Sequence, residues 1–248
     1  MPGRIIIVGA GLSGLTAAIQ SQRKGKNVLL LEAFPECKVL GDFILLGANS
    51  SRLLRCLPGF EERILKFCSN AEDINICHLT GEHIVGQGMG ELNARYGSGY
   101  SINRGHFHAE LFKYAQEHGV DIRLGHTITD IDEDDKEAWV IANGEKFVGE
   151  VVLIGDGSKS QGRRRVLGTD EPPNFTGYSV FRAYLPMSQV SEPEALSDLM
   201  KNGDFTNIWL GPDMHAVSAS FSRGTELSWA LTVKVRLRPP LPQTLVVF

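Results

Sequence analysis

The chain is poor in the features that would tie it to a membrane, a nucleic acid or a disulfide scaffold. No apolar run in its 248 residues approaches the ~20 residues of a bilayer span. No charged and apolar leader precedes the first apolar run at Ile5, so a cytoplasmic protein without a signal peptide is expected. Only four cysteines occur, Cys37, Cys56, Cys68 and Cys77; they form no CxxC pair and have no zinc-like spacing to histidine, which predicts reduced thiols without chemistry. The longest basic run is Arg163-Arg164-Arg165 and the net charge is -4, which argues against a nucleic-acid surface. Internal repeats and low-complexity tracts are missing. His106 and His108 lie two apart and point to different faces of a helix, so they do not form a metal-binding pair. Asp130 to Asp135 lacks the spaced ligands and glycine of a calcium loop.

Glycine is plentiful, 27 residues, and its placement is the strongest signal. Ile5 to Val8 is an apolar run of strand length, and Leu12, Leu15, Ala18 and Ile19 recur at helical spacing, so Gly9 to Gly14 marks a strand-to-helix turn. Gly9 permits the tight turn, Gly11 removes a side chain that would hold a phosphate away, and Gly14 lets the helix pack close to the strand. The free N–H groups of the helix start then face a pyrophosphate. Val28 to Leu31 reads as a second buried strand, and Glu32 at its end is placed to accept hydrogen bonds from a ribose. These residues predict a dinucleotide site without choosing the dinucleotide.

With 42% hydrophobic and 22% charged residues the chain has the composition of an ordinary globular protein. Helices are expected over Asn49–Leu57, ended by Pro58, and over Glu61–Cys68; Ile74–Leu79 alternates as a strand. The glycine-rich stretch 81–99 is expected to be mostly turns and loop between short strands. Asn103 is placed to cap a helix carrying Phe107, Leu111, Phe112 and Ala115 on one face, stopped by Gly119 before a strand at Val120–Leu124. Ile128–Asp132, Ala138–Ala142 and Phe147–Val148 read as an antiparallel meander with a hairpin at Asn143-Gly144, followed by a buried strand at Val151–Ile154. From Phe175 onward strands follow without long helices: Tyr178–Leu185, Thr206–Leu210, Ala216–Phe221 and Leu227–Val235. The fold class is α/β, a Rossmann-like nucleotide domain (1–72 and 100–172) with a second, antiparallel β-sheet domain (73–99 and 173–235) and an irregular tail at 236–248.

Gly155-Asp156-Gly157-Ser158-Lys159-Ser160-Gln161-Gly162-Arg163 follows the Val151–Ile154 strand directly. Asp156 is suited to a sugar hydroxyl and Arg163 to a phosphate; the same residues also read as a plain turn that starts a helix.

The Gly9-x-Gly11-x-x-Gly14 fingerprint with Glu32, the Asn103-Arg104 helix start and Asp156-Gly157-x-x-Ser160-x-x-Arg163 together resemble the FAD-dependent aromatic hydroxylases, especially salicylate hydroxylase-like monooxygenases. The resemblance implies FAD as cofactor, held by Gly9, Gly11, Gly14, Glu32, Gly41, Arg104, Asp156, Gly157 and Arg163. It also implies NADH or NADPH as co-substrate, molecular oxygen as oxidant, and hydroxylation of a small aromatic substrate, with secondary metabolism as a setting. Arg182 matches an arginine associated with the active site and is the catalytic candidate. The chain departs from the family pattern in three places. Gly41-Asp42-Phe43 stands where relatives have Gly-Ala-Gly, and Ala219-Ser220 where many have a tyrosine and a proline. The pattern ends near Thr232, ahead of a basic tail interrupted by Pro239, Pro240 and Pro242, so a chain shortened relative to the family is expected. Two other readings stay open: a catalytically defective flavoprotein partnering a longer paralogue, and a nicotinamide-dependent reductase using Glu32 for NAD.

Overall fold

The computed structural model describes residues 3–39, 41–169, 174–191 and 193–235. The expected tail at 236–248, with its three prolines, lies outside the described residues. The chain opens with β1 (Arg4–Val8), α1 (Leu12–Arg23) and β2 (Asn27–Leu31). β3 (Phe43–Leu46), α2 (Ala48–Leu54), α3 (Phe60–Leu65), β4 (Asp73–His78), β5 (His83–Gly88), α4 (Met89–Tyr96) and β6 (Tyr100–Asn103) follow. Next come α5 (Arg104–Glu117), β7 (Asp121–Arg123), β8 (Ile128–Glu133), β9 (Ala138–Ala142), β10 (Glu145–Gly149), β11 (Val151–Ile154) and α6 (Gly162–Leu167). The last strands are β12 (Tyr178–Pro186), β13 (Thr206–Gly211), β14 (Met214–Phe221) and β15 (Glu226–Lys234). Two compact units result, divided after residues 39, 106 and 173.

The first unit holds a four-stranded sheet in the order β11-β1-β2-β7, parallel throughout. Ile6, Ile7, Val28, Leu29, Leu30 and Leu31 are fully or almost fully buried, as expected for parallel strands covered on both faces. A meander β10-β9-β8 packs on this sheet, and Ile6, Val8, Leu29, Leu31, Val140, Ala142 and Phe147 form one core cluster. Its hairpin turns through Asn143 and Gly144, both at positive φ, the geometry that a two-residue Asn-Gly loop supplies.

The second unit is built on a six-stranded sheet, β12-β15-β14-β13-β4-β5. β4 runs parallel to β13 and antiparallel to β5, so the early strands complete the later antiparallel set. β3 and β6 form a separate antiparallel ribbon. Asn103, nearly buried at the end of β6, caps α5: its Oδ1 accepts the amide hydrogen of His106 at 2.9 Å.

The stretch 81–99 contains a short strand as expected, β5, but also a helix, α4, where turns and loop were expected. Two of its glycines bound the helix: Gly88 is the extended N-cap of α4 and Gly97 (φ +88°) its C-cap. Reading that stretch as loop overlooked that glycine brackets regular elements as readily as it interrupts them.

Candidate functional site

In the first unit, the carboxyl ends of β1, β2 and β11 enclose a cleft of about 210 Å³ that brings together Gly9, Glu32 and Asp156. Ligands of open parallel sheets bind at this edge. Gly9 adopts φ +94°, and a Cβ there would lie 2.6 Å from the Gly155 carbonyl oxygen. A Cβ on Gly14 would lie 1.9 Å from the Gly9 carbonyl oxygen, so helix and turn meet backbone to backbone. Gly11 is different, because a Cβ there meets nothing closer than 3.9 Å. Its missing side chain leaves open space in front of α1, which has no side-chain cap and no acidic residue in its first turn. Unclaimed helix-start amides behind an open space are what a phosphate requires.

Glu32 is held on both oxygens: Oε2 accepts from the Ala10 amide at 2.6 Å and Oε1 from the Phe34 amide at 2.9 Å. Each carboxylate oxygen keeps a further lone pair for a ribose hydroxyl. Two residues that the sequence reading passed over stand behind the turn. His108 Nε2 donates to the Ala10 carbonyl at 2.6 Å, which places the proton on that nitrogen, and its Nδ1 faces Cys37 Sγ at 3.7 Å. Burial, and secondarily the charge of Glu32, pushes the Cys37 thiol above its ordinary range, so the sulfur keeps its proton and donates to Nδ1. A helical-spacing test for metal pairs had no means of finding this, because the contacts join residues 71 and 98 apart in sequence.

Asp156 acts within its own loop. Oδ2 accepts from the amides of Gln161 (2.8 Å) and Gly162 (3.3 Å), while Ser160 Oγ accepts from Arg163 N at 3.0 Å. Gly157 takes φ +84° in the turn. These contacts match the turn-and-helix-start reading of the motif, and Asp156 lines the cleft as well.

In the second unit, Gly41 (φ +135°) lies against Arg104, whose side chain would be 3.2 Å from a Cβ placed there. Arg104 donates its amide to the Asp42 carbonyl at 2.7 Å, and its exposed guanidinium has no ion-pair partner among the described residues. The Asp42 carboxylate accepts from Arg182 Nη1 at 3.0 Å, and the Arg182 side chain is 61% exposed. The residue that departs from the family pattern thus neutralises the expected catalytic arginine. Ser220, at another departure, is fully buried and donates to Asp204 Oδ1 at 3.0 Å.

The same unit contains a cavity of about 980 Å³ between the β3–β6 ribbon and the β4–β13–β14 face, lined by Phe43, Ile74, Ile208, Val217, Glu72 and Asp73 among others. Neither Arg104 nor Arg182 lines it. Nearby, Glu226 accepts from Tyr184 (2.7 Å), Ser222 (2.8 Å) and His106 (3.3 Å), and His106 stacks on Phe67 at 4.4 Å. Burial opposes ionisation of Glu226, but the three donors outweigh it and hold the carboxyl below its usual range. Burial and this hydrogen bond together push the Tyr184 phenol upward. No helix among the described residues is long and apolar enough to cross a membrane.

Known proteins match this architecture. A family profile described as FAD dependent oxidoreductase matches residues 4–153. Notoamide E oxidase from Aspergillus versicolor is 31% identical over 239 residues, covering 93% of this chain and 51% of that protein. The FAD-dependent monooxygenase nanF of Aspergillus nanangensis is 34% identical over 241 residues, covering 92% and 51%. The crystal structure of CtdE with FAD and a substrate superimposes with a TM-score of 0.89 at 28% identity, covering 96% of this chain and 58% of CtdE. The chain spans about half the length of the curated relatives it matches. With the profile spanning more than half of the chain, over the strand, glycine turn and acid described above, the protein belongs to the FAD-dependent oxidoreductase family.

Proposed function

We infer that the first unit binds FAD and that the chain serves NAD(P)H- and oxygen-dependent monooxygenation of an aromatic compound held against the sheet of the second unit. The observation that carries this reading is the cleft in which Gly9, Glu32 and Asp156 meet beside an open, uncapped helix start. Bound FAD would supply the redox chemistry, taking a hydride from NAD(P)H and activating oxygen for transfer of one atom to an electron-rich ring. The residues of the chain do the rest. Glu32 accepts from the ribose hydroxyls, and the first-turn amides of α1 face the pyrophosphate across Gly11. His108 fixes the Ala10 carbonyl and so the shape of the turn. Asp156 holds the α6 loop at the cleft. Within the second unit, the apolar wall of the 980 Å³ cavity excludes water from an aromatic ring.

Reading the fingerprint as an NAD site is weaker, because the relatives named above include FAD-dependent monooxygenases. The test is reconstitution of the purified chain with FAD, removal of free cofactor, and a visible spectrum. A bound flavin spectrum at near one equivalent, with FAD reduced by NADH or NADPH, supports the reading. A colourless protein with NADH-dependent reductase activity overturns it.

A further inference from the structure

Strand alternation turns Thr206 and Ile208 of β13 toward the cavity of the second unit, beside Ile74 of β4 and Val217 of β14, and turns Asn207 to the opposite face. Thr206 is the one polar side chain of that group. It is 8% exposed, and its register partners Ile74 and Ala219 are both apolar. The buried serines of the unit all donate within the protein: Ser51 to the Ser98 carbonyl at 2.6 Å, Ser220 to Asp204 at 3.0 Å and Ser228 to the Ala183 carbonyl at 3.3 Å. The Thr206 hydroxyl has no such partner among the described residues. Among those residues no side-chain nitrogen or oxygen sealed from solvent lacks a hydrogen bond, so a partnerless hydroxyl has open space in front of it. The open space that Thr206 borders is the cavity.

We propose that the Thr206 hydroxyl orients the ligand of this cavity by donating to a carbonyl oxygen at the edge of a fused-ring aromatic compound. The polarity of the recognised group follows from the hydroxyl, which brings one proton and two lone pairs. Buried donors are almost always paired, whereas acceptors with two lone pairs are more readily left under-satisfied, so the proton is what still requires a partner. The size follows from the volume of about 980 Å³, at the upper end of the roughly 300–1,000 Å³ of ligand sites. Ile74, Ile208 and Val217 on one wall and Phe43 on the other supply apolar contact to the rings, so the single hydroxyl fixes which way the ligand lies. A ligand without the carbonyl leaves that hydroxyl desolvated and unpaired, which is how a buried polar group discriminates. The inference rests on the reading of this cavity as the substrate site and adds to it the group that is recognised.

The full chain is tested by equilibrium dialysis against 9-fluorenone, fluorene and carbazole, which share one flat tricyclic frame and differ at a single bridging group: carbonyl, methylene or N–H. Fluorenone is expected to bind about fivefold more tightly than fluorene, the change that one neutral hydrogen bond gives, and more tightly than carbazole. Thr206→Val keeps the shape of the side chain and should bring the fluorenone-to-fluorene ratio to about one, while Thr206→Ser keeps the hydroxyl and should hold the ratio within about twofold of wild type. Thr206→Val should also leave the urea midpoint unchanged or raised, because the hydroxyl it removes has no partner in the fold. Equal binding of fluorenone and fluorene, tighter binding of carbazole, a ratio unmoved by Thr206→Val, or no binding of any probe overturns the proposal. A lowered midpoint for Thr206→Val overturns it too, since the hydroxyl would then have an internal partner. An FAD titration of the same samples separates the two readings. Carbonyl selectivity without flavin binding would leave the Thr206 inference standing and remove the proposed function, and flavin binding without selectivity would do the reverse.

Discussion

Among the described residues the buried Ser, Thr, Asn and Asp side chains, Ser51, Asn103, Asp204, Thr206, Asn207, Ser220 and Ser228, all belong to the second unit; those buried in the first unit are aliphatic or aromatic. The first unit keeps its polar chemistry at strand ends and on the backbone, where glycines expose amides. The second fixes its sheet internally with hydrogen-bonded side chains. Asp204 is the centre of that arrangement, accepting from Ser220 Oγ (3.0 Å), Gly224 N (2.7 Å) and Asn70 N (3.1 Å) at 5% exposure. The contrast teaches that the two units are sensitive to different changes: one to an added methyl group, the other to a lost acceptor.

The sharpest way to break the contrast is Asp204→Ala. It leaves three donors unsatisfied inside the second unit and should cost about 3–5 kcal/mol in urea unfolding. A loss below about 1 kcal/mol would mean that the network is not structural. Gly14→Ala probes the other side. Its Cβ would lie 1.9 Å from a backbone oxygen, so the turn must open; about 1–3 kcal/mol of stability and at least a hundredfold in FAD affinity should be lost. Unchanged affinity would show that the turn does not carry the phosphates. Glu32→Ala removes an acceptor of ribose hydroxyls, and FAD affinity measured by fluorescence quenching should fall about tenfold or more, since hydrogen bonds to charged groups contribute about 1.5–3 kcal/mol.

Alkaline pH should separate the units by a smaller effect. Burial pushes Cys68 up to about 12; burial and the hydrogen bond with Glu61 raise Tyr100 to about 12. Both are in the second unit, and both hold their protons longer folded than unfolded; the first unit contributes the smaller rise of Cys37. Their contribution is therefore present below about pH 9–10, the ordinary thiol and phenol range, and is lost as pH rises toward 12. Amide exchange followed from pH 8 upward should show protection lost from β12–β15 before β1 and β2. Loss in the opposite order would contradict the comparison.

The same contrast explains what was legible in the sequence. In the first unit, continuous apolar strands, a glycine turn and an acid at fixed offsets are local signals, so β1, α1, β2, Glu32 and the Asn143-Gly144 hairpin were all readable. Asn103 was readable as a cap for the same reason. β3 and β6 were not, because Phe43–Leu46 and Tyr100–Asn103 are four-residue strands stabilised by each other across more than fifty residues. Asp42 looked like an intrusion into a glycine-rich segment, and its partner Arg182 is 140 residues away. The Glu226 cluster draws on α5, β12 and the β14–β15 turn, and no spacing rule connects them.

The central claim is that the Gly9–Gly14 turn with Glu32 is an FAD site. The most direct measurement is the thermal midpoint of the purified chain with and without FAD at about 100 times its dissociation constant, alongside Glu32→Ala at the same FAD concentration. Saturation to that degree stabilises by about 2.7 kcal/mol, which for a chain of this size should raise the wild-type midpoint by about 5–10 °C, with a clearly smaller rise in the variant. No shift in the wild type at any FAD concentration, or equal shifts in both proteins, would contradict it.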